Sequence, residues 1–264
     1  MNPPVSESPA LTVRPHPLRA FGGIWRLTWR RFCTPGQWLL LVGTLAVLGL
    51  LGFLRVRHGH EDEFLPWMAQ FYVGFILPVM AFLAGASAIR DEMKSSTADY
   101  VLTRPVRRVH LVVFKYLSHL ACLQLFYLVV LGSLLGLALF IPVPDVVPTA
   151  ARLVLAQFTA LSAFSALGFL FGVITERYLV LGFIYAGTVE MAIGRIPTQL
   201  NHLSMTRQLS NLVSPPDASG FAFLAGPVSA WSVVVLLFGY AAFFIALCAI
   251  VFSRRELAGA GRSS

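Results

Sequence analysis

The sequence predicts an all-α, polytopic membrane protein with six transmembrane helices, an N-terminal amphipathic helix and both termini cytoplasmic. Three observations carry that prediction. Of 264 residues, 57% are hydrophobic and only 12% are Asp, Glu, Lys or Arg, about half the ~25% charged content of soluble domains. So few charges cannot cover the surface of a water-soluble fold of this size, which excludes soluble globular, disordered and disulfide-scaffold classes. The apolar residues also fall in runs near the ~20 needed to cross hydrocarbon, without the strict alternation of a membrane β-barrel. Finally, the basic residues cluster at alternate ends of those runs.

Residues 1–17 carry Pro3, Pro4, Pro9, Pro15 and Pro17 and few apolar side chains, and read as a disordered cytoplasmic tail. Residues 18–36 form the next element. Leu18, Phe21, Trp25, Thr28, Trp29 and Phe32 recur at three-to-four spacing, with Arg19, Arg26 and Arg30 opposite. That pattern predicts an amphipathic helix over Leu18–Phe32, stopped by Pro35-Gly36 and lying in the membrane interface. The plainer alternative is that it simply begins the first membrane helix.

The predicted spans are Trp38–Leu54, Phe64–Ile89, Leu111–Ile141, Leu153–Ile174, Tyr178–Gly194 and Val228–Phe252, filling a membrane domain over 37–254. The first and fifth are at the lower length limit, so each is expected to borrow a flanking turn. Pro78 is expected to kink the second span and free a carbonyl. Gly132-x-x-x-Gly136 and Gly168-x-x-x-Gly172 allow close helix approach, and Thr159, Ala160, Ser162, Ala163, Ser165 and Ala166 extend such a surface along the fourth span. Packing within the chain is the simpler reading of both motifs, and a contact between chains the alternative.

Between spans, Arg55–Glu63 is a short polar loop and Ile141–Ala151, with Pro142, Pro144 and Pro148, a tight turn. Thr175-Glu176-Arg177 is a minimal turn that makes the fourth and fifth spans antiparallel neighbours. The stretch 195–227 is too long for a plain connection. Its Ile196, Leu200, Leu203, Leu209, Leu212 and Val213 predict short helices on or in the outer leaflet, broken at Pro215-Pro216. Residues 255–264 are a cytoplasmic tail.

Orientation follows from the cations. With the N-terminus inside, those from Arg14 to Arg31, from Arg90 to Lys115, Arg177 and those from Arg254 onward are cytoplasmic, fifteen of the twenty. Only Arg55, Arg57, Arg152, Arg195 and Arg207 lie outside. The net charge of +8 is therefore topology and contact with anionic lipid, and no nucleic-acid partner is expected. The first apolar run follows 37 residues and ends in Leu-Arg-Val-Arg, without a signal-peptide cleavage pattern.

The chemistry-bearing residues are few. Cys33, Cys122 and Cys248 are too scattered for a disulfide framework or zinc cluster. His58, His60, Glu61, Asp62 and Glu63 crowd one loop without the spacing of a metal site, so no metal is expected. His119 follows Lys115 by one turn, and His202 has no evident second ligand. Glu190 is the most costly residue, because a carboxylate within a span requires a partner, a proton or water. Arg195 is its nearest cation in sequence. Two roles stay open: a polar group facing a translocation path or outer gate, and a structural ion pair near the helix end.

A phosphate-binding loop needs a Lys after Gly, and the two lysines, Lys94 and Lys115, follow Met93 and Phe114. No catalytic or cofactor-binding residue is expected, and any nucleotide-driven work falls to another polypeptide. The segment 90–108 concentrates both signs of charge between two spans, with Arg90, Asp91, Glu92, Thr97, Arg104, Pro105, Arg107 and Arg108. It reads either as a docking surface for a soluble partner or as an ordinary cytoplasmic loop.

That segment resembles the signature of the ABC-2 type permeases, the membrane subunits of a class of ABC transporters. The family shows an acidic residue after the second helix, then Gly-Thr, an apolar pair, Pro, a basic residue and a Lys opening the third helix. Glu92, Thr97, Val101-Leu102, Pro105, Arg107 or Arg108, and Lys115 match those positions. Ser96 replaces the usual Gly, and Asp99-Tyr100 departs from the pattern. The sequence-specific likeness covers about twenty residues, and the overall plan resembles the family along nearly the whole chain. The resemblance implies that 90–108 couples the chain to an ABC ATPase subunit that binds ATP and Mg. It implies a second permease chain, homodimeric or heterodimeric, a bacterial inner membrane and an exporting direction. Two rivals are an ion- or proton-coupled carrier and an intramembrane enzyme. The first wants several ionisable groups at mid-membrane, where only Glu190 is present, near one end; the second wants a motif such as His-Glu-x-x-His, and none occurs in the spans.

Overall fold

Backbone in hydrocarbon must satisfy its own N–H and C=O groups, so a chain this apolar folds as helices. The computed structural model describes residues 17–57, 64–94, 108–140, 146–195, 202–213 and 229–260, and every regular element among them is helical. Helices α1 (Pro17–Phe32) and α2 (Pro35–Arg57) come first. One continuous rod follows: α3 (Phe64–Trp67), a π-helical stretch π1 (Met68–Ile76) and α4 (Leu77–Lys94). Then come α5 (Arg108–Leu139) and α6 (Val146–Ile174). After the turn at Glu176-Arg177, α7 (Tyr178–Tyr185) runs into a second π-helical stretch, π2 (Ala186–Ala192), and a 3-10 turn, Ile193–Arg195. The short α8 (Met205–Val213) and the long α9 (Ala230–Ala260) complete the described chain.

Five of these rods are long and apolar enough to cross a membrane: Trp38–Arg55, Phe64–Asp91, Val109–Leu139, Val146–Ile174 and Ala230–Arg254. The predicted fifth span differs. Its apolar helix covers Tyr178–Ala192, about 22 Å at ~1.5 Å per residue, short of the ~30 Å hydrocarbon. Two predicted boundaries also move. α6 starts at Val146 instead of Leu153, because Pro148 falls in the first turn, where a missing N–H is harmless. α9 continues past Phe252 to Ala260, since no Gly or Pro interrupts Ser253–Ala258. The effect of Pro78 is visible on its N-terminal side. The N–H of Leu77 bonds the carbonyl of Tyr72, five residues back, so the rod widens into π1 before the proline instead of leaving an α-turn broken.

α6 is the central helix: 83% of its membrane window is buried, against 17% for α2. It packs on α4, α9 and α5. The α4–α6 contact is backbone to backbone. A Cβ at Gly168 would overlap the Phe82 carbonyl, one at Gly85 the Ser165 carbonyl, and one at Gly172 would lie 2.7 Å from the Ala86 carbonyl. Lipid tails are as apolar as Leu, so such close approach, not hydrophobic burial, holds membrane helices together. Gly132 and Gly136 share the same spacing on α5, yet nothing lies within 4 Å of their Cβ positions.

Polar links cross the core as well. Tyr116 donates to the Ser162 carbonyl at 2.8 Å and the Gln124 amide to the Phe158 carbonyl at 3.0 Å, joining α5 to α6. The Tyr72 hydroxyl of π1 lies 2.8 Å from the Gln157 carboxamide of α6 and donates to the Tyr127 carbonyl of α5 at 3.3 Å. At one end, α1 lays its apolar stripe along α5. Phe21 meets Phe114 edge-on at 5.5 Å and Phe32 sits 5.3 Å from the His119 ring, while Arg26, Arg30 and Arg31 are exposed.

Candidate functional site

Charged and polar side chains gather at the two ends of the bundle. At the α1 end, the last turns of α4 carry Arg90 on their buried side and Asp91 on the exposed side. The Arg90 guanidinium pairs with Glu176 in the turn between α6 and α7. Arg90 is buried, whereas Glu176 is 82% exposed. One partner in water makes this a screened pair worth about 0–1 kcal/mol. Its consequence is positional: the start of segment 90–108 is tied to the turn joining α6 to α7. Lys115, one turn before His119 on α5, is buried at the same end.

Thr97, Arg104, Pro105 and Arg107 lie outside the described residues, as do His58, His60 and Glu61–Glu63. Glu92 is in the last turn of α4 and Arg108 opens α5, with side chains outside the description. Of the predicted coupling residues, Arg90 and Asp91 thus have described surroundings. Gly168 and Gly172 lie at the α4 contact, Gly168 against Phe82 and Gly172 against Ala86 and Ile89, the residue before Arg90. No group of three or more His, Cys, Asp or Glu suited to a metal occurs among the described residues.

At the other end, Glu190 takes hydrogen bonds from α8. Ser204 precedes that helix as its N-cap, with Oγ accepting from the Arg207 N–H at 3.1 Å. The two preceding free amides go to Glu190: Met205 N–H donates at 3.2 Å and Thr206 N–H at 3.0 Å. The Ser204 hydroxyl adds a 2.7 Å bond and the Tyr185 hydroxyl one of 3.0 Å. A carboxylate from π2 thereby completes the cap of a different helix, facing both its open N–H groups and its positive dipole end. The loop before α8 is held from another side, where Tyr240 of α9 donates to the His202 carbonyl at 3.0 Å. Gly194 permits the approach, since a Cβ there would lie 2.8 Å from Ser204 Oγ. α8 buries Met205, Gln208, Leu209, Leu212 and Val213, one helical face, against α6, α9, π1 and π2. Both widened stretches of helix therefore border α8.

A family model described as "ABC-2 family transporter protein" matches residues 39–257. The chain belongs to the ABC-2 transporter family. No curated protein matches it. The matched range of this ABC-2 family member takes in nearly all of the five long apolar helices, the Arg90–Glu176 pair and the Glu190 cap, and leaves α1 outside.

Sequence reasoning named Arg90 and Glu190 but not their partners. Glu176 read only as a turn residue, and Arg195 as the natural mate of Glu190. The four described partners of Glu190 are hydroxyls and backbone amides, while the Arg195 side chain lies outside the description. One local signal for α8 was present: Ser204 stands just before apolar residues at 205, 209, 212 and 213, the usual mark of a capped helix start. Tyr72 and Gln157 had no such signal, because their separation is 85 residues.

Proposed function

We propose that this chain is the membrane-spanning permease subunit of an ATP-driven ABC-2 transporter, acting as an exporter in a bacterial inner membrane. The α1 end faces the cytoplasm, as the bias of basic residues requires, and both termini lie there. The fifth of six crossings consists of Tyr178–Arg195 completed by α8, which dips into the outer leaflet because π2 ends short of the far interface. ATP and Mg bind to a separate ABC ATPase subunit, and a second permease chain completes the assembly.

The observation that carries this reading is the Arg90–Glu176 pair. Segment 90–108 is the part of the chain that resembles the family's coupling element, and its first residue is bound to the α6–α7 turn. Force applied by an ATPase at that segment reaches α4 directly and α7 through Glu176. α4 is locked to α6 by backbone contact at Gly85 and Gly168, so the three helices respond as a unit. Glu190 then acts at the far end of the same α7–π2 rod, holding α8 across the outer side.

The test is whether a phosphate-loop protein is encoded beside the gene for this chain and co-purifies with it, followed by vesicle transport. Glu92→Ala and Arg107→Ala variants are expected to keep the complex and its ATP hydrolysis while losing transport. Normal transport by both variants removes the coupling role from 90–108. Transport by the purified chain alone under an ion gradient replaces the permease-subunit reading with that of a carrier.

A further inference from the structure

A cavity of about 520 Å³ opens beneath α1, walled by α1, α2, α4, α5 and the start of α7. That size lies in the ~300–1,000 Å³ range of small-molecule sites. It is a slot running along the helices, polar toward α1 and apolar at its inner end. On α4 the lining passes from Asp91 and Ser87 to Leu83 and Met80. On α5 it passes in the same direction from Lys115 and His119 to Leu123 and Phe126, with the buried Tyr127 beyond. One side of the slot is open. Among the described residues α2 packs mainly on α5, and α7 on α6 and α4, which leaves a gap between α2 and α7. Leu40 and Leu179 line the slot from those two helices, 43% and 47% exposed, and their neighbours Leu39 and Val180 are exposed too. The gap is therefore continuous with the lipid-facing surface of both helices.

We infer that this slot seats one acyl chain of a lipid from the leaflet at the α1 end, with the head group left at the interface. Depth selects the occupant. Asp91 to Met80 on α4, and Lys115 to Phe126 on α5, each rise about 16 Å at ~1.5 Å per residue, close to the ~15 Å that is half the hydrocarbon thickness. Half that thickness is the reach of a chain within one leaflet. The inner end does not stay filled by water, because an ordered water needs about two to four polar partners. Left empty, it forfeits dispersion contacts along its lining. A chain entering between Leu40 and Leu179 restores those contacts without leaving hydrocarbon. Lipid tails are as apolar as Leu, so the gain comes from contact within the slot and not from transfer out of water. The chain is what the slot reads, and the head group, outside it, is not selected by charge. Only the membrane location of the protein is needed for this, not its coupling to an ATPase.

The experiment uses the full-length protein in vesicles of phosphatidylcholine carrying a photoreactive diazirine near the end of one acyl chain, with adducts mapped by peptide mass spectrometry. Adducts are expected inside the slot, on Met80, Leu83, Leu123 and Phe126, as well as on exposed α5 residues such as Leu125 and Val129. Phosphatidylglycerol bearing the same chain is expected to label the slot within about twofold of phosphatidylcholine. Leu83→Trp, which fills the slot with an indole, is expected to lower labelling of Leu123 and Phe126 about tenfold while Leu125 and Val129 keep theirs. Adducts confined to exposed residues in the wild-type protein mark an ordinary lipid belt and overturn the inference, whether or not the variant folds. Slot labelling that differs about tenfold or more between the two lipids makes the cavity a head-group site and overturns it as well. Unchanged labelling of Leu123 and Phe126 in monodisperse Leu83→Trp places the chain elsewhere, with the same consequence.

Discussion

Replacing Glu190 by alanine removes the acceptor for two backbone amides that have no other partner among the described residues, those of Met205 and Thr206. An unsatisfied buried amide costs about 1–3 kcal/mol, and a carboxylate at a helix N-terminus contributes a further ~0.3–1 kcal/mol. The hydroxyls of Ser204 and Tyr185 can turn to water or a neighbouring carbonyl, so their bonds add little. Glu190 is only half-buried, and water entering the gap offsets part of the loss. The expected cost of opening α8 is therefore about 2–3 kcal/mol, or roughly 30- to 150-fold in an equilibrium constant. Hydrogen exchange reads this directly, because local opening of a docked element sets its exchange rate. Peptides covering Met205–Val213 should exchange about 30- to 150-fold faster in Glu190→Ala, with α6 unchanged. Glu190→Gln keeps one acceptor oxygen and should show a smaller rise, about fivefold for a loss near 1 kcal/mol. Arg195→Ala should leave the rate within twofold of wild type. A Glu190→Ala rate equal to wild type refutes the capping argument, and an Arg195→Ala effect as large as that of Glu190→Ala restores the ion pair.

Gly168→Ala drives a methyl into the Phe82 carbonyl, which is backbone and cannot swing aside. The expected loss is about 1–3 kcal/mol, read as a lower thermal midpoint in detergent, whereas Gly132→Ala should stay within ~0.5 kcal/mol of wild type. Tyr72→Phe removes one hydrogen-bond partner of the Gln157 carboxamide and should cost about 1 kcal/mol, while the double variant with Gln157→Leu should be milder than the sum, because both polar partners leave together. For Arg90→Gln and Glu176→Gln, a double-mutant cycle should give at most ~1 kcal/mol of coupling in stability. Each variant should nonetheless lower transport per ATP hydrolysed in the reconstituted complex; unimpaired coupling in both denies the pair a role in force transfer.

How far the sequence went can be judged residue by residue. The helices were legible because a run of apolar residues has one stable form in hydrocarbon, and α1 was legible from its three-to-four spacing. Its bounds, Pro17–Phe32, differ from the predicted Leu18–Phe32 by a single residue. The fifth segment was harder. Its composition reads as a span, but π2 and the 3-10 turn occur where the chain bends to meet α8, and no residue in Ala186–Ala192 announces a wider helix. Gly132 and Gly168 show a different limit. Both open a Gly-x-x-x-Gly motif, yet only Gly168 faces a neighbouring backbone, because α6 sits at the centre of the bundle and that side of α5 points away from it.

What the sequence determined alone is the set of local, one-dimensional properties: which stretches are apolar, where helices begin, how basic residues divide between the ends, and that Glu190 requires a partner. Those follow from the cost of placing peptide groups and charges in hydrocarbon, which each segment meets regardless of its neighbours. Which partner answers which group is a matter of packing. Glu176 reaches Arg90 across 86 residues, and Glu190 finds the amides of α8 at 15 and 16 residues' distance. Such pairings depend on how α4, α6 and π2 are set against one another. The close approach at Gly85 and Gly168 sets the first two, and the tie through α8 to Tyr240 sets the third.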